Sequence, residues 1–177
     1  RQQGLATRLL HACIQRLEER GLVPVLDATP AGENVYLPLG FLPHFGFQRW
    51  QHDGVEEISP NQNDGPGGRN IGPADRVKLM QMDAATFGVA RPLVVENLIG
   101  RSGEFACITD DGTGFAVGRD GRIATQIGPI TAASSATAIA MLTHALKALT
   151  GPVFIDSCDH QEAFVAHLRD LGFRHQR

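Results

Sequence analysis

Apolar positions recur at helical spacing near the start of the chain and predict an amphipathic helix that ends at Gly21: Leu5, Leu9, Leu10, Cys13, Ile14 and Leu17. A polar turn, Arg1-Gln2-Gln3-Gly4, leads into this helix. The first N–H groups of a helix have no partner within the helix, and the helix dipole adds partial positive charge there. The turn therefore indicates an anion site suited to a pyrophosphate, with an ordinary glycine-bearing helix start as the alternative.

The pattern continues with short elements and then a change of composition. A continuous apolar run over residues 22–26 predicts a buried strand. Thr29 and Pro30 predict the cap and first residue of a short helix that runs to about Leu37 and is closed by Gly40-Phe41. Aromatic residues between 45 and 50 predict an extended segment. Residues 59–75 are dense in Gly, Pro and Asn, so we predict a linker there, with domains at 1–58 and 76–177.

The second half alternates strand and helix patterns. The predicted order is a strand (77–82), a helix (91–98), three antiparallel strands (105–109, 114–118, 122–127), a helix (132–149), a strand (152–156) and a helix (161–171). This order exposes an internal repeat. Helix, strand, helix and Leu-Gly-Phe occur over residues 5–41 and again over 132–173. The chain is therefore predicted to be a tandem whose first copy is cut.

Composition narrows the function classes. The 177 residues suffice for one ordinary domain or two small ones, and 42% hydrophobic with 20% charged residues predicts a soluble globular protein. A net charge of −3 without a dense Lys/Arg block disfavours nucleic acid and membrane surfaces as partners. Three scattered cysteines predict buried thiols in the cytoplasm and no metal site. The first residue is Arg and no signal peptide or membrane span is recognisable, so we expect a part of a longer protein.

Two motifs carry a family resemblance. Arg1-x-x-Gly4-x-Ala6 resembles the Q/R-x-x-G-x-G/A motif of the GNAT superfamily of acyl-CoA-dependent N-acetyltransferases, and Tyr36-x-x-Leu39-Gly40-Phe41 looks like its second landmark. The resemblance implies a mixed α/β fold in which the amides of the turn bind the coenzyme A pyrophosphate and Tyr36 protonates the departing thiolate. It assigns the coenzyme site to Arg1, Gln2, Gln3, Gly4, Leu5, Ala6 and Thr7, together with Thr29, which stands where the family often has Asn. The alternative for Tyr36 is a half-buried ring packed beside Phe41.

Residues 74–173 resemble a second GNAT-like domain of the kind found in bacterial tandem acetyltransferases. The resemblance rests on Asp83, Phe87-Gly88 and Arg91, and on the run Gln126-Ile127-Gly128-Pro129. Here the glycine turn is replaced by residues 128–132, and Leu168 stands at the position equivalent to Tyr36. We therefore expect this domain not to be the main catalytic unit, and its last strands to lie beyond residue 177.

These observations predict an N-acetyltransferase that moves an acetyl group from acetyl-CoA to a primary amine of a small molecule or an amino-acid-like acceptor, although the fragment itself is expected to be inactive. A non-catalytic coenzyme A-binding module is the alternative. Asp156 and His160 follow an apolar strand and are weaker candidates for substrate binding or for lining a cleft between domains, with a helix cap favoured for Asp156. The acceptor and the catalytic base are not identified, and a homodimer stays open.

Overall fold

The computed structural model describes residues 4–55 and 68–176. The chain divides into two compact units, Arg1–His44 (unit 1) and Phe45–Arg177 (unit 2). The division therefore does not coincide with the predicted boundary at 58/59. The aromatic segment 45–50, which we had assigned to the first domain, belongs to unit 2. Of the predicted linker, residues 59–67 lie outside the described residues, whereas residues 68–75 carry a strand and a 3-10 turn.

Unit 1 consists of two helices, α1 (Leu5–Glu18) and α2 (Pro30–Tyr36), and a 3-10 turn, Leu37–Leu39. The predicted cap of α2 is confirmed, because the Thr29 hydroxyl accepts a hydrogen bond from the Gly32 N–H at 3.2 Å. The predicted strand over 22–26 is wrong. Its side chains are not buried, with Val23 and Val25 each 84% exposed, and the described part of unit 1 contains no strand with which it could pair. An apolar run becomes a strand only beside a partner.

Unit 2 is built on a seven-stranded mixed sheet in the order β2-β3-β4-β5-β6-β1-β7. The strands are β1 (Phe47–His52), β2 (Gly68–Asn70), β3 (Cys107–Thr109), β4 (Gly114–Arg119), β5 (Thr125–Ala132), β6 (Val153–Cys158) and β7 (Arg174–His175). The pair β5–β6 is parallel, and the other neighbours are antiparallel. The mixed α/β class is thus confirmed.

Four helices accompany the sheet in the described part of unit 2: α3 (Arg76–Phe87), α4 (Pro92–Ser102), α5 (Ser135–Lys147) and α6 (Glu162–Asp170). The last three match predicted helices. The predicted strand over 77–82 is wrong, because this segment lies in α3. The two buried side chains of this helix, Leu79 and Asp83, are one helical turn apart. The alternation of apolar residues around Met80 instead suggested the two-residue period of a strand.

Helices cover both faces of the sheet, which explains why β4 is apolar on both sides. Phe115 and Val117 join a core cluster with Leu79 of α3 and Val95 of α4. Ala116 packs instead with α5. A larger cluster lies between the sheet and α5 and α6 and contains Trp50, Ile127, Leu142, Leu146, Ile155, Phe164 and Leu168.

Strand β1 lies inside the sheet although it precedes every other strand in the chain. Trp50 pairs with Ile155 of β6 on one side and with His175 of β7 on the other. The sequence predicts that the closing strands of this unit lie beyond residue 177. This stays a prediction; among the described residues, β1 and β7 follow β6 in the strand order.

Candidate functional site

The predicted anion turn is a left-handed glycine at the start of α1. Gly4 has φ 65°, a conformation that strains any residue with a Cβ, although an added Cβ would meet no atom within 4 Å. Among the described residues, no side-chain cap hydrogen bond is found at this helix end, and its first turn contains no acidic residue. The amides of Leu5, Ala6 and Thr7 are therefore available to an anion, and the helix dipole favours one there. Arg1, Gln2 and Gln3 lie outside the described residues.

Tyr36 ends α2 and is half-buried. Its ring contacts that of Phe41 edge-to-face, with 5.9 Å between the ring centroids. A Cβ at Gly32 would lie 3.3 Å from the Tyr36 ring and 3.3 Å from the Thr29 hydroxyl, so these three residues form one close local cluster. The Thr29 hydroxyl serves as the cap of α2, and its part in binding coenzyme A stays a prediction.

The structure does not bring the two predicted parts of the site together. Among the described residues, no hydrogen bond, ion pair or ring contact joins the Gly4 turn to the Tyr36 cluster. The roles predicted for the Gly4 turn and for Tyr36 stay predictions. That the Gly4 turn and Tyr36 act on one ligand is a proposal.

The two Leu-Gly-Phe segments close their helices in the same way. Gly40 and Gly172 are both left-handed, with φ 88° and 85°. The Phe41 N–H donates to the Tyr36 carbonyl at 3.4 Å, and the Phe173 N–H donates to the Leu168 carbonyl at 2.9 Å. Tyr36 and Leu168 therefore occupy the same position relative to the closure. Leu168 is 0% exposed and carries no proton to donate, so unit 2 has a core residue where unit 1 has a phenol.

The start of α5 differs from that of α1. The Ser134 hydroxyl accepts a hydrogen bond from the Thr137 N–H at 3.1 Å, so a side chain of the chain itself occupies this helix end. The sequence placed the equivalent turn at residues 128–132, but these residues belong to β5, where they pair with β4. Unit 2 therefore lacks an uncapped glycine turn at this position.

The parallel pairing of β5 with β6 stops early. It runs from Thr125 opposite Val153 to Ile127 opposite Ile155, after which β5 pairs only with β4 and β6 only with β1. Pro129 lies just beyond and has no N–H with which to extend a ladder. The sheet opens at the carboxyl ends of these two strands, where α/β sheets commonly hold ligands.

The two weaker site candidates are not brought together. His160 is exposed in the turn before α6. Asp156 lies within β6, and its carboxylate accepts two hydrogen bonds from Arg49, each at 2.7 Å. The favoured role of Asp156 as a helix cap is wrong, because β6 continues to Cys158 and the N-cap of α6 is Gln161.

Sequence reasoning missed the partners of Asp156. The Gln126 amide donates to Asp156 at 2.9 Å and accepts from Arg119 at 3.1 Å, so four strands contribute to one polar row with Arg49. Only the strand register brings these residues together. The one signal in the sequence was an acidic residue inside an otherwise apolar strand.

The Asp83, Phe87 and Arg91 cluster has a structural role. The Arg91 guanidinium donates two hydrogen bonds of 2.8 Å to the Asp83 carboxylate and lies 3.8 Å from the centroid of the Phe87 ring. Asp83 is 2% exposed. This pair ties α3 to the start of α4.

Residues 4–55 and 68–176 contain no group of three or more His, Cys, Asp or Glu side chains placed to hold a metal ion. None of the helices there has both the length and the apolarity that crossing a bilayer requires.

Known proteins share this fold. Residues 79–177, more than half of the chain, match the family described as an acetyltransferase (GNAT) domain. None of the curated proteins matches the sequence. A protein from Pyrococcus horikoshii described as a candidate acetyltransferase has a TM-score of 0.73 at 19% identity, covering 98% of this chain and 57% of that one. A GCN5-related N-acetyltransferase from Sphaerobacter thermophilus has a TM-score of 0.61 at 13% identity, covering 98% and 65%.

A third similar structure is an acetyltransferase from the GNAT family of Colwellia psychrerythraea, with a TM-score of 0.52 at 15% identity, covering 97% of this chain and 69% of that one. At these identities the likeness shows the fold alone. The chain spans less than two thirds of the length of the first two structures, 57% and 65% respectively.

Proposed function

Since the chain belongs to the GNAT acetyltransferase family, we propose that the protein transfers an acetyl group from acetyl-CoA to the primary amine of a small molecule or an amino-acid-like acceptor. Such a transfer requires an anchored donor, a neutral amine and a proton for the departing thiolate. The main observation behind the proposal is that α1 begins at a glycine, Gly4, which has a left-handed conformation and supplies no side-chain cap.

The Gly4 turn would anchor the donor through its backbone. A pyrophosphate carries charge that the partial positive end of α1 favours, and the amides of Leu5, Ala6 and Thr7 supply donors without a charged side chain. The absence of an acidic residue in the first turn leaves that charge uncompensated by the helix itself. These residues fit a pyrophosphate.

Tyr36 would act as the general acid. Its phenol is half-buried beside Phe41 and lies at the end of α2, where the closure by Gly40 fixes the backbone. A phenolic O–H is a hydrogen-bond donor and can give its proton to a thiolate. Acetyl-CoA supplies the acetyl thioester when it is bound.

We further propose that unit 1 holds the later part of one GNAT domain and that unit 2 is a second, degenerate copy. The matched Leu-Gly-Phe closures support this arrangement. The buried Leu168 and the Ser134 cap support a role for unit 2 other than the chemical step.

Two matched variants test the donor site. Gly4 and Gly21 flank the same helix, have φ 65° and 66°, and have nothing within 4 Å of an added Cβ. Gly4→Glu and Gly21→Glu therefore carry the same charge change and comparable backbone strain at opposite ends of α1. We expect isothermal titration of the chain with acetyl-CoA to show at least about tenfold weaker binding for Gly4→Glu and a change below about twofold for Gly21→Glu. Equal affinities in the two variants would rule out the pyrophosphate assignment.

The proton donor is tested separately. Tyr36→Phe, assayed in a protein that contains the whole of the proposed first domain, keeps the ring and removes the hydroxyl, so acetyl-CoA binding should stay nearly unchanged while turnover falls by about 10²-fold or more. Turnover that is unchanged across the pH range would remove Tyr36 from the mechanism.

A non-catalytic coenzyme A-binding module is the second candidate function, favoured by the loss in unit 2 of both the glycine turn and the phenol. Release of free thiol discriminates the two functions. Only an enzyme frees coenzyme A in proportion to an added amine from a panel of small amines and amino acids.

A further inference from the structure

An arginine-lined pocket of about 210 Å³ lies where β4 ends and β5 begins. We define the arginine pocket by six lining residues: Arg49, Arg119, Arg122, Ile123, Gln126 and Phe154. Gln126 and Phe154 alternate along their strands with Ile127 and Ile155, which point into the core under α5 and α6. The pocket therefore occupies the opposite face of the sheet.

A chain of hydrogen bonds fixes the pocket wall. Arg49 donates through Nε and Nη2 to the two oxygens of Asp156, and Gln126 donates to the same carboxylate. The Gln126 oxygen then accepts from Arg119 at 3.1 Å. Because the carboxylate and the amide are both held, the guanidinium of Arg119 is positioned before any ligand arrives. Such preorganisation reduces the entropy cost of binding.

The charge of the pocket is unbalanced. Among the described residues, the lining contains the guanidinium groups of Arg49, Arg119 and Arg122, and the Asp156 carboxylate is hydrogen-bonded to this lining. In the part of the chain that the structure describes, neither Arg119 nor Arg122 forms an ion pair, and the adjacent Asp120 is paired with Arg101. The chain as a whole carries a net charge of −3, so this local excess of positive charge is not a general property of its surface.

We propose that the arginine pocket binds a small, multiply charged oxyanion, a phosphate or a compound bearing several carboxylates. The guanidinium fork matches both groups in its geometry, and bonds between two charged partners are the stronger hydrogen bonds. The volume suits a compact anion rather than a nucleotide or a peptide, since pockets for larger ligands start near 300 Å³. The Phe154 ring and Ile123 offer apolar surface to a carbon skeleton. This site belongs to unit 2 and is independent of the proposed acetyl-CoA turn.

Titration of the chain with inorganic phosphate and, separately, with citrate at low ionic strength and without acetyl-CoA tests the proposal. At least one anion should bind at a single saturable site with a Kd of about 1 mM or tighter. Arg122→Gln alters an exposed side chain and should weaken binding at least about tenfold, as should Arg119→Gln. Arg20→Gln, at an exposed arginine of unit 1, is the matched control and should leave the Kd within about twofold.

Saturation by phosphate alone identifies a tetrahedral ligand group, and saturation by citrate alone identifies a polycarboxylate; both support the proposal. No saturable binding of either anion, or equal losses in Arg122→Gln and Arg20→Gln, would overturn it.

Discussion

Removing Arg91 should destabilise unit 2 far more than removing an exposed arginine. Its guanidinium holds both oxygens of Asp83 at 2.8 Å, and that carboxylate is 2% exposed. In an Arg91→Met variant, the Asp83 carboxyl group would stay buried without its hydrogen-bonded counter-ion. Breaking one side of a buried pair costs about 3–5 kcal/mol, most of which is the desolvation of the group that remains.

The assay is urea unfolding followed by circular dichroism. With a slope of about 2 kcal/mol per molar urea, the loss corresponds to a midpoint about 1.5–2.5 M lower. Arg76→Met is the control in the same pair of helices. It breaks the exposed pair with Glu96, in which the side chains are 44% and 35% exposed, and should cost less than about 1 kcal/mol.

A double variant separates the pair from its parts. Asp83→Leu combined with Arg91→Met replaces both charges by apolar groups and should recover most of the lost stability. If Arg91→Met costs no more than Arg76→Met, or if the double variant is no more stable than Arg91→Met alone, the attribution to a stranded buried carboxylate is refuted.

Three further outcomes are expected. Burial raises the pKa of the Cys107 thiol to about 12, so a thiol reagent at pH 8 should label exposed Cys13 rapidly and Cys107 only in denaturant, as mass spectrometry would show. Burial, and to a smaller extent the charge of Lys147, lowers the pKa of His144 below its ordinary 6.5. The unfolded chain therefore binds a proton at this histidine more readily than the folded chain, and the fold loses stability as the pH falls below 6.5. The urea midpoint should therefore drop less between pH 7 and 5 in His144→Gln than in the unaltered chain. Leu168→Ala should cost about 2–5 kcal/mol by calorimetry, because Leu168 is 0% exposed.

Local signals in the sequence predicted the parts of the fold that local chemistry determines. Thr29 caps α2, and Gly40 and Gly172 close two helices, since each conformation depends on a few adjacent residues. The family motifs also led to the fold class. These features follow from dihedral preferences and hydrogen bonds within one turn of chain.

Other parts required tertiary information. The apolar run over 22–26 has no strand beside it, and the segment 77–82 is helical because Leu79 and Asp83 are covered on one face of α3. The arginine pocket depends on a register that sets Arg49 opposite Asp156, 107 residues away in sequence. No short segment of the sequence includes both residues, so local patterns cannot predict their contact. The structure describes the Gly4 turn and the Tyr36 ring separately, and their joint role in binding coenzyme A stays a proposal.

The position of β1 between β6 and β7 also sets the order in which the protein can be completed. A ribosome makes β1 first and its neighbour β6 about a hundred residues later, as the separation of 107 between Arg49 and Asp156 shows. At about 5–20 residues per second, β1 waits on the order of 5–20 s with both edges unpaired. During that time it is a template for any other strand edge nearby. Strand β1 therefore gains its neighbours late in synthesis, because β6 and β7 both lie far downstream in the chain.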